Sequence, residues 1–279
     1  MSTIDPSQLA SIVRRALDED VGRGDVTSAW TLPPGLVGHG VFLSKATGIL
    51  AGLAVAREVF NHVSLEVRLE TLKVDGESIS PGDRIATVEG PMAAILTAER
   101  TVLNFMQRMS GIATATWHYV EAVRGTRATI LDTRKTAPGL RLLDKWAVRL
   151  GGGQNHRMRL DDMVLIKDNH IVASNGITAA VRGVRAHNAQ GLPIEIEVKT
   201  WVELQEAVAL RPERIMLDNM TPAEMRRAVN WVAGRVPLEA SGGITLESVR
   251  TVAETGVDYI SVGALTHSVA ALDISLEVE

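Results

Sequence analysis

The 279-residue chain reads as an α/β protein in which a mixed N-terminal unit precedes an irregular, open α/β barrel of about six parallel strands. Three observations predict this. From residue 129 onward, short runs that are apolar on both faces alternate with segments of helical periodicity, as strands buried between crossover helices do. Residues 39–89 lack that alternation and carry strand-like runs punctuated by Gly48, Gly52, Gly76 and Pro81 with Gly82. The strand runs of the second part number six, too few for a regular eightfold barrel.

In order along the chain, Leu9, Ile12, Val13, Ala16 and Leu17 recur at helical spacing, so residues 6–19 form an opening helix that stops near Gly22. The loop GRGDVTS follows, then strand-like runs VFLSKA, SLEVRLE and RIATVEG. From Ala93 to about Val123, the apolar positions Leu96, Val102, Leu103, Phe105, Met106 and Met109 suit helices interrupted near Gly111, with the Met and Phe side chains in the core. Strands are expected at 129–134, 164–167, 194–198, 214–218, 237–241 and 259–263. Helices at roughly 175–189, 201–210, 221–233 and 245–255 fill the intervals. Right-handed crossovers curl such a sheet toward a barrel.

Composition narrows the function. Apolar residues make up 46% and charged residues 22%, ordinary for a globular protein. No run of about 18 apolar residues occurs, which argues against a membrane span. The start MSTIDPSQLASIVRRALDED lacks the basic-then-apolar profile of a signal peptide, so a cytoplasmic protein is expected. With no cysteine, disulfides, thiolate metal sites and thiol nucleophiles drop out. A pI near 6.0 and few aromatics speak against a nucleic-acid surface.

Against a net charge of −4, the stretch DTRKTAPGLRLLDKWAVRLGGGQNHRMRLDDMVLIKDNH from Asp132 to His170 concentrates Arg134, Lys135, His156, Arg157 and Lys167 around Gly151, Gly152 and Gly153. Arg grips carboxylates and phosphates two-pronged, whereas Lys supplies a compact charge for phosphate oxygens. The strand ends add a second pattern, carrying Arg134, Lys167, Glu197, Asp218, Ser241 and Gly263 in succession. In folds of this kind, carboxyl ends converge on one active-site mouth. SGGI at Ser241–Ile244 and VGALTHS at Val262–Ser268 match a barrel phosphate site built from backbone N–H groups. Glu197 and Asp218 either share a divalent cation such as Mg²⁺ through waters, bind sugar hydroxyls, or are neutralised by Lys135 and Lys167. His156 has no second His at ligand spacing, which makes a zinc site improbable. The inventory fits a phosphorylated sugar meeting a polycarboxylate.

The segments ERTVLNFMQRMSGIAT, DTRKTAPGLR, GGGQNHRMRL, LIKDNHI, EIEVKT, IMLDN, LEASGGI and GVDYISVGALTHS resemble those of the quinolinate phosphoribosyltransferase family in order and spacing, over essentially the whole chain. The resemblance implies an N-terminal α/β sandwich domain over residues 1–110 and a catalytic α/β barrel over 111–267, with 268–279 returning to the first domain. It implies transfer from 5-phosphoribosyl 1-diphosphate (PRPP) to quinolinate, giving nicotinate mononucleotide, diphosphate and CO₂ on the route to NAD. By the same resemblance, Arg134, His156, Arg157 and Lys167 hold the quinolinate carboxylates, with Thr133 beside them. Arg100 is supplied by the partner subunit of a homodimer, which in the family also assembles as a hexamer of dimers. Lys135 and Lys167 contact the phosphate and diphosphate oxygens, and Glu197 and Asp218 the ribose hydroxyls and Mg²⁺. Ser241, Gly242, Gly243, Gly263, Ala264 and Leu265 cradle the 5-phosphate. Lys135, Lys167, Glu197 and Asp218 are thus the expected catalytic set.

Other readings use the same residues. A Schiff-base lyase would employ Lys167 as nucleophile but leave the Arg and His cluster idle. A sugar-phosphate sensor would bind PRPP without turnover. A related transferase would take another aromatic acid, although the paired carboxylate binders favour a dicarboxylate.

Overall fold

The computed structural model describes residues 4–278, and the chain divides into two compact units. The first comprises the chain through Trp117 together with Ala137–Gly152 and Ser268 onward; the second comprises His118–Thr136 and Gly153–His267.

In the first unit, helix α1 (Pro6–Val21) starts at Asp5, whose carboxylate accepts the Ser7 N–H, and has Pro6 at its first position. The segment expected as a loop contains α2 (Val26–Thr31), capped by Asp25, which accepts the Ser28 N–H at 3.0 Å. Strands β1 (Val37–Ser44), β3 (Arg68–Thr71), β5 (Arg84–Pro91) and β12 (Ile274–Val278) make an antiparallel sheet in the order β12-β1-β5-β3. The short strands β2 (Gly48–Ile49) and β4 (Ser78–Ile79) pair separately. The return of the C-terminal segment is thus a strand pairing, with Phe42 opposite Leu276. Between β2 and β3 lies α3 (Leu53–Val63), which buries Leu53, Val55, Ala56, Val59 and Phe60. Its 3–4 residue spacing is the helical signal that the surrounding strand-like runs obscured. Phe60 meets Phe42 edge-to-face, with ring centroids 6.2 Å apart.

Helix α4 (Met92–Ala122) corrects the expected interruption near Gly111, because it is one helix of 31 residues. A Cβ at Gly111 would lie 2.1 Å from the carbonyl oxygen of Ala270, and one at Gly151 would lie 2.2 Å from that of Ala113. These glycines admit close backbone approach. Helix α5 (Arg141–Leu150) buries Leu143, Ala147 and Val148 and also Asp144, whose carboxylate takes a two-pronged grip from Arg108 at 2.9 and 2.8 Å and the Ala137 N–H at 3.1 Å.

The second unit is built on six parallel strands: β6 (Thr129–Leu131), β7 (Val164–Ile166), β8 (Ile194–Val198), β9 (Arg214–Asp218), β10 (Leu238–Ser241) and β11 (Tyr259–Ser261). Their order is β6-β11-β10-β9-β8-β7, and among the described residues β6 and β7 do not pair, so the sheet is open. Strands β6 and β11 end earlier than expected, at Leu131 and Ser261, where pairing gives way to loops. Helices α6 (Asp168–Ala173), α7 (Ile177–His187), α8 (Trp201–Ala209), α9 (Pro222–Val232), α10 (Leu246–Ala253) and α11 (Ala264–His267) follow the strands. Thr200 with Glu203 and Thr221 with Glu224 form capping boxes that start α8 and α9 next to the ends of β8 and β9.

At Gly111 the packing constraint opposes helix propensity. Alanine is the better helix former by about 1 kcal/mol, yet Gly111→Ala is expected to destabilise the fold by about 1–3 kcal/mol through backbone displacement at Ala270. Urea unfolding of the two proteins checks the sign.

Candidate active site

The parallel register places side chains in rows. Cα pairs side by side point to the same face, so Glu195 shares a face with Arg214, Glu197 and Glu239 with Met216, and Ser241 with Asp218. The alternate residues Ile194, Ile196, Val198, Ile215 and Leu217 are buried on the other face, the one available to helices. Polar residues at every second position of β8 thus collect on one side of the sheet.

That side opens into a cleft of about 940 Å³ within the second unit. Thr133, Arg134, Lys135, His156, Arg157, Lys167, Glu197, Asp218, Ser241, Gly242, Gly243, Gly263 and Ala264 all line it. Two expected residues do not. Leu265 has its side chain in the core, and Arg100 is exposed on α4 of the first unit.

One part of the cleft is basic. Arg134 and Arg157 are half-buried, and burial together with the neighbouring Arg134 guanidinium pulls the Arg157 pKa down. Arg remains charged at any physiological pH. The Arg157 Nη1 donates to the carbonyl of Met163 at 3.1 Å, which directs the group. Asp132, fully buried just after β6, accepts from the His156 N–H at 2.9 Å and from Asn155 Nδ2 at 2.6 Å. One aspartate thereby fixes the loop that presents both His156 and Arg157.

A second part mixes signs. Lys167 Nζ lies 3.7 Å from Glu197 Oε2, and Lys199 Nζ lies 2.7 Å from Asp168 Oδ2 and 4.0 Å from Asp218 Oδ2. Burial raises the Glu197 pKa, Lys167 opposes the shift, and the Asp218 and Asp168 carboxylates add to it. Asn219 Nδ2 donates to Asp218 at 2.9 Å. This is a hard-oxygen donor set of the kind Mg²⁺ takes, with part of its charge already offset by lysines.

The third part is backbone. Gly242 has φ +103° and Gly243 φ +58°, and a Cβ on Gly242 would lie 2.2 Å from Asn219 Oδ1. A side chain at 242 would meet both strain and collision. Gly263 directly precedes α11, and Thr266 Oγ1 donates to the Lys135 carbonyl at 2.9 Å, tying the two loops together.

Sequence reasoning missed Asp168, Asn169, Lys199, Asn219, Thr245 and His267, which also line the cleft. A signal existed for four of them. Asp168, Asn169, Lys199 and Asn219 sit within three residues after β7, β8 or β9.

The fold and the cleft define an α/β-barrel protein whose strand ends form a mixed anion-binding and carboxylate-bearing site. Family comparison makes this specific. The model "Quinolinate phosphoribosyl transferase, C-terminal domain" matches residues 112–277, and that of the N-terminal domain matches residues 25–110. The chain belongs to the quinolinate phosphoribosyltransferase family. It is 46% identical over 290 residues to nicotinate-nucleotide pyrophosphorylase (carboxylating), chloroplastic, of Arabidopsis thaliana, covering 97% of this chain and 83% of that one. It is 46% identical over 276 residues to the Mycobacterium leprae nicotinate-nucleotide pyrophosphorylase (carboxylating), covering 95% of each. Among solved structures, the Francisella tularensis nicotinate-nucleotide pyrophosphorylase superposes with a TM-score of 0.95 at 39% identity, covering 99% of this chain and 98% of that one. NadC from Streptococcus pyogenes gives 0.96 at 37%, covering 100% and 99%. No helix among the described residues is long and apolar enough to cross a membrane.

Below the cleft, Glu239 is fully buried, and burial with the nearby Glu195 carboxylate pushes its pKa to about 7, against the pull of His156 and Arg214. Between its ordinary 4.5 and about 7, the folded protein holds a proton that the unfolded chain has released. Stability from this group is complete below that window and is lost as pH rises through it. Glu239→Gln should therefore flatten the decline of the thermal midpoint across the window relative to wild type. Parallel slopes in melts at several pH values would contradict the assignment.

Proposed function

We infer that this chain transfers the phosphoribosyl group of PRPP to quinolinate with loss of CO₂, giving nicotinate mononucleotide and diphosphate for NAD biosynthesis. The observation that carries the reading is the pairing, in one cleft, of the guanidinium groups of Arg134 and Arg157 with the glycine-lined turns at Gly242, Gly243 and Gly263. One end suits a dicarboxylate, the other a terminal phosphate.

In the proposed assignment, Arg134, His156, Arg157 and Lys167 hold the acceptor carboxylates, with Thr133 beside them. Lys135 and Lys167 receive phosphate and diphosphate oxygens. Backbone N–H groups from Ser241 to Gly243 and from Gly263 to Leu265 take the 5-phosphate. Glu197 and Asp218 orient the ribose hydroxyls and, directly or through water, would hold Mg²⁺; the carboxylate and amide oxygens around them fit that ion. Bound there with the substrate, Mg²⁺ would supply charge neutralisation for the diphosphate.

The pyridine nitrogen attacks C1 of the ribose as the C1–O bond breaks and its electron pair leaves with diphosphate. The resulting quaternary nitrogen stabilises the pair left on the adjacent carbon when the C–CO₂ bond breaks, and a proton from solvent fills that carbon. No covalent enzyme intermediate is needed. Positioning contributes most, since well-oriented groups reach effective molarities of about 10⁵–10⁸ M, and Lys135 and Lys167 stabilise the departing charge.

A homodimer belongs to the same proposal, with Arg100 of each subunit entering the partner's cleft. Its support is that Arg100 is exposed on α4 and is not among the residues lining the cleft.

A quenched assay with quinolinate, PRPP and Mg²⁺ is expected to yield nicotinate mononucleotide and CO₂ in equal amounts, with no product from nicotinate. Tight PRPP binding without turnover would refute the transferase. For the shared site, Arg100→Ala and Lys167→Ala should each be inactive, while mixing them restores about a quarter of wild-type activity, because half of the random dimers rebuild one of two sites. No recovery under proven subunit exchange would remove Arg100 from the partner's cleft.

A further inference from the structure

Among the described residues, four besides glycine hold a positive φ: Asn175, Arg211, Asn219 and Ala233. Asn175, Arg211 and Ala233 follow the C-terminal ends of α6, α8 and α9, where a left-handed residue is an ordinary way to close a helix. Asn219, at φ +55°, instead follows a strand, directly after Asp218 at the end of β9, and it lines the cleft. The left-handed region is costly for residues other than glycine, and Asn is among the side chains that bear it best. What the conformation at Asn219 achieves is therefore informative.

Its amide stands between two features of the cleft. The Asn219 N–H donates to the Ser241 carbonyl at 2.9 Å, which ties the end of β9 to the start of the glycine turn. The side-chain Nδ2 donates to Asp218 Oδ2 at 2.9 Å. Chemistry fixes that orientation of the amide, since the opposite one would set two acceptors together. On the other side, Oδ1 fills the volume a side chain at Gly242 would need, 2.2 Å from where its Cβ would stand. Gly242 thus owes its identity to Asn219 as well as to its own φ of +103°. Lys199 Nζ approaches the same Asp218 oxygen at 4.0 Å, so both neighbours engage Oδ2 and leave Oδ1 to a ligand.

We propose that Asn219 is a positioning residue for PRPP: its amide locks the Asp218 carboxylate to the turn at Ser241–Gly243, so that the group for the ribose hydroxyls and the cradle for the 5-phosphate keep one fixed separation. The inference rests on the transferase reading above. Hydroxyls and 5-phosphate belong to one sugar and stand at a distance set by covalent bonds. A carboxylate and a turn that moved independently would match them only part of the time. The acceptor residues Arg134, His156 and Arg157 lie instead in the segment between β6 and β7, so the proposal confines the effect of Asn219 to PRPP.

The test separates side chain from backbone. Asn219→Gly keeps the left-handed turn at lower strain and removes the amide. Its affinity for PRPP with Mg²⁺, read by calorimetry without acceptor, is expected to fall about tenfold, the low end for loss of a supporting contact behind a ligand. KM for PRPP should rise with it, while KM for quinolinate at saturating PRPP stays within about twofold. Asn219→Ala loses the same amide and adds backbone strain, so it should bind PRPP no better than Asn219→Gly. Wild-type PRPP affinity in Asn219→Gly would overturn the proposal, and a loss confined to Asn219→Ala would assign the role to the backbone alone. Equal rises in KM for both substrates would also overturn it, marking a merely structural role. Should Asn219→Gly fail to fold, Asn219→Asp decides, since Asp tolerates the same turn but sets a carboxylate against Asp218 in place of the N–H. A lowered PRPP affinity there supports the proposal, and an unchanged one sinks it. Lack of wild-type turnover with intact PRPP binding would defeat the transferase reading alone, and the calorimetric comparison would still judge Asn219.

Discussion

The cleft exists because a parallel strand alternates its side chains with a period of two while its helices demand an apolar surface on one side only. In β8, Ile194, Ile196 and Val198 satisfy that demand, which frees Glu195 and Glu197 to face the other way. The neighbouring strands follow in register, so Arg214, Met216 and Asp218 on β9 and Glu239 and Ser241 on β10 fall on the same side. Depth then separates function. Residues at the strand ends reach the cleft, and those a row lower are sealed from water. A shift of one residue in any of these strands would send its carboxylates into the helical layer and its isoleucines into the site.

Charge in the site is arranged for exchange rather than for maximal attraction. Lys167 and Lys199 lie within ion-pair distance of Glu197, Asp168 and Asp218, so the lysines and carboxylates neutralise one another before any ligand arrives. Under the proposed function, an incoming diphosphate or metal ion would trade one partner for another instead of meeting a bare field. At the basic end the Arg157 guanidinium donates to a backbone carbonyl, that of Met163. The asymmetry suits the two substrates of the proposed reaction, an acceptor bound through its carboxylates at one end and a donor bound through its phosphates at the other.

Much of this was legible in the sequence, and what was not has physical causes. The barrel strands were readable because buried parallel strands are short apolar runs between helical periods, and four of the expected strand ends carried the charged side chains that the structure places in the cleft. The glycine turns were readable from their place after strands. Helices α2, α3 and α5 were not, since each is short and set among glycines, strand-like runs or charges that dominate a local window. Gly111 misled because helix propensity registers only the missing side chain, whereas the backbone of Ala270 needs the space. The carboxylates Glu195 and Glu239 went unassigned for a related reason. Their role depends on which residues become neighbours across β8, β9 and β10, and no spacing along the chain encodes that.

The central claim is that the cleft binds the acceptor's carboxylates at Arg134 and Arg157 and the sugar phosphate at the glycine turns. A crystal structure with Mg²⁺, a non-reacting PRPP analogue and phthalate, a diacid lacking the ring nitrogen, tests it most directly. The account predicts the 5-phosphate on the backbone N–H groups of Gly242, Gly243 and Ala264, with both phthalate carboxylates within hydrogen-bond reach of Arg134 and Arg157. A 5-phosphate seated on the two arginines, or a phthalate bound at the glycine turns, would contradict it.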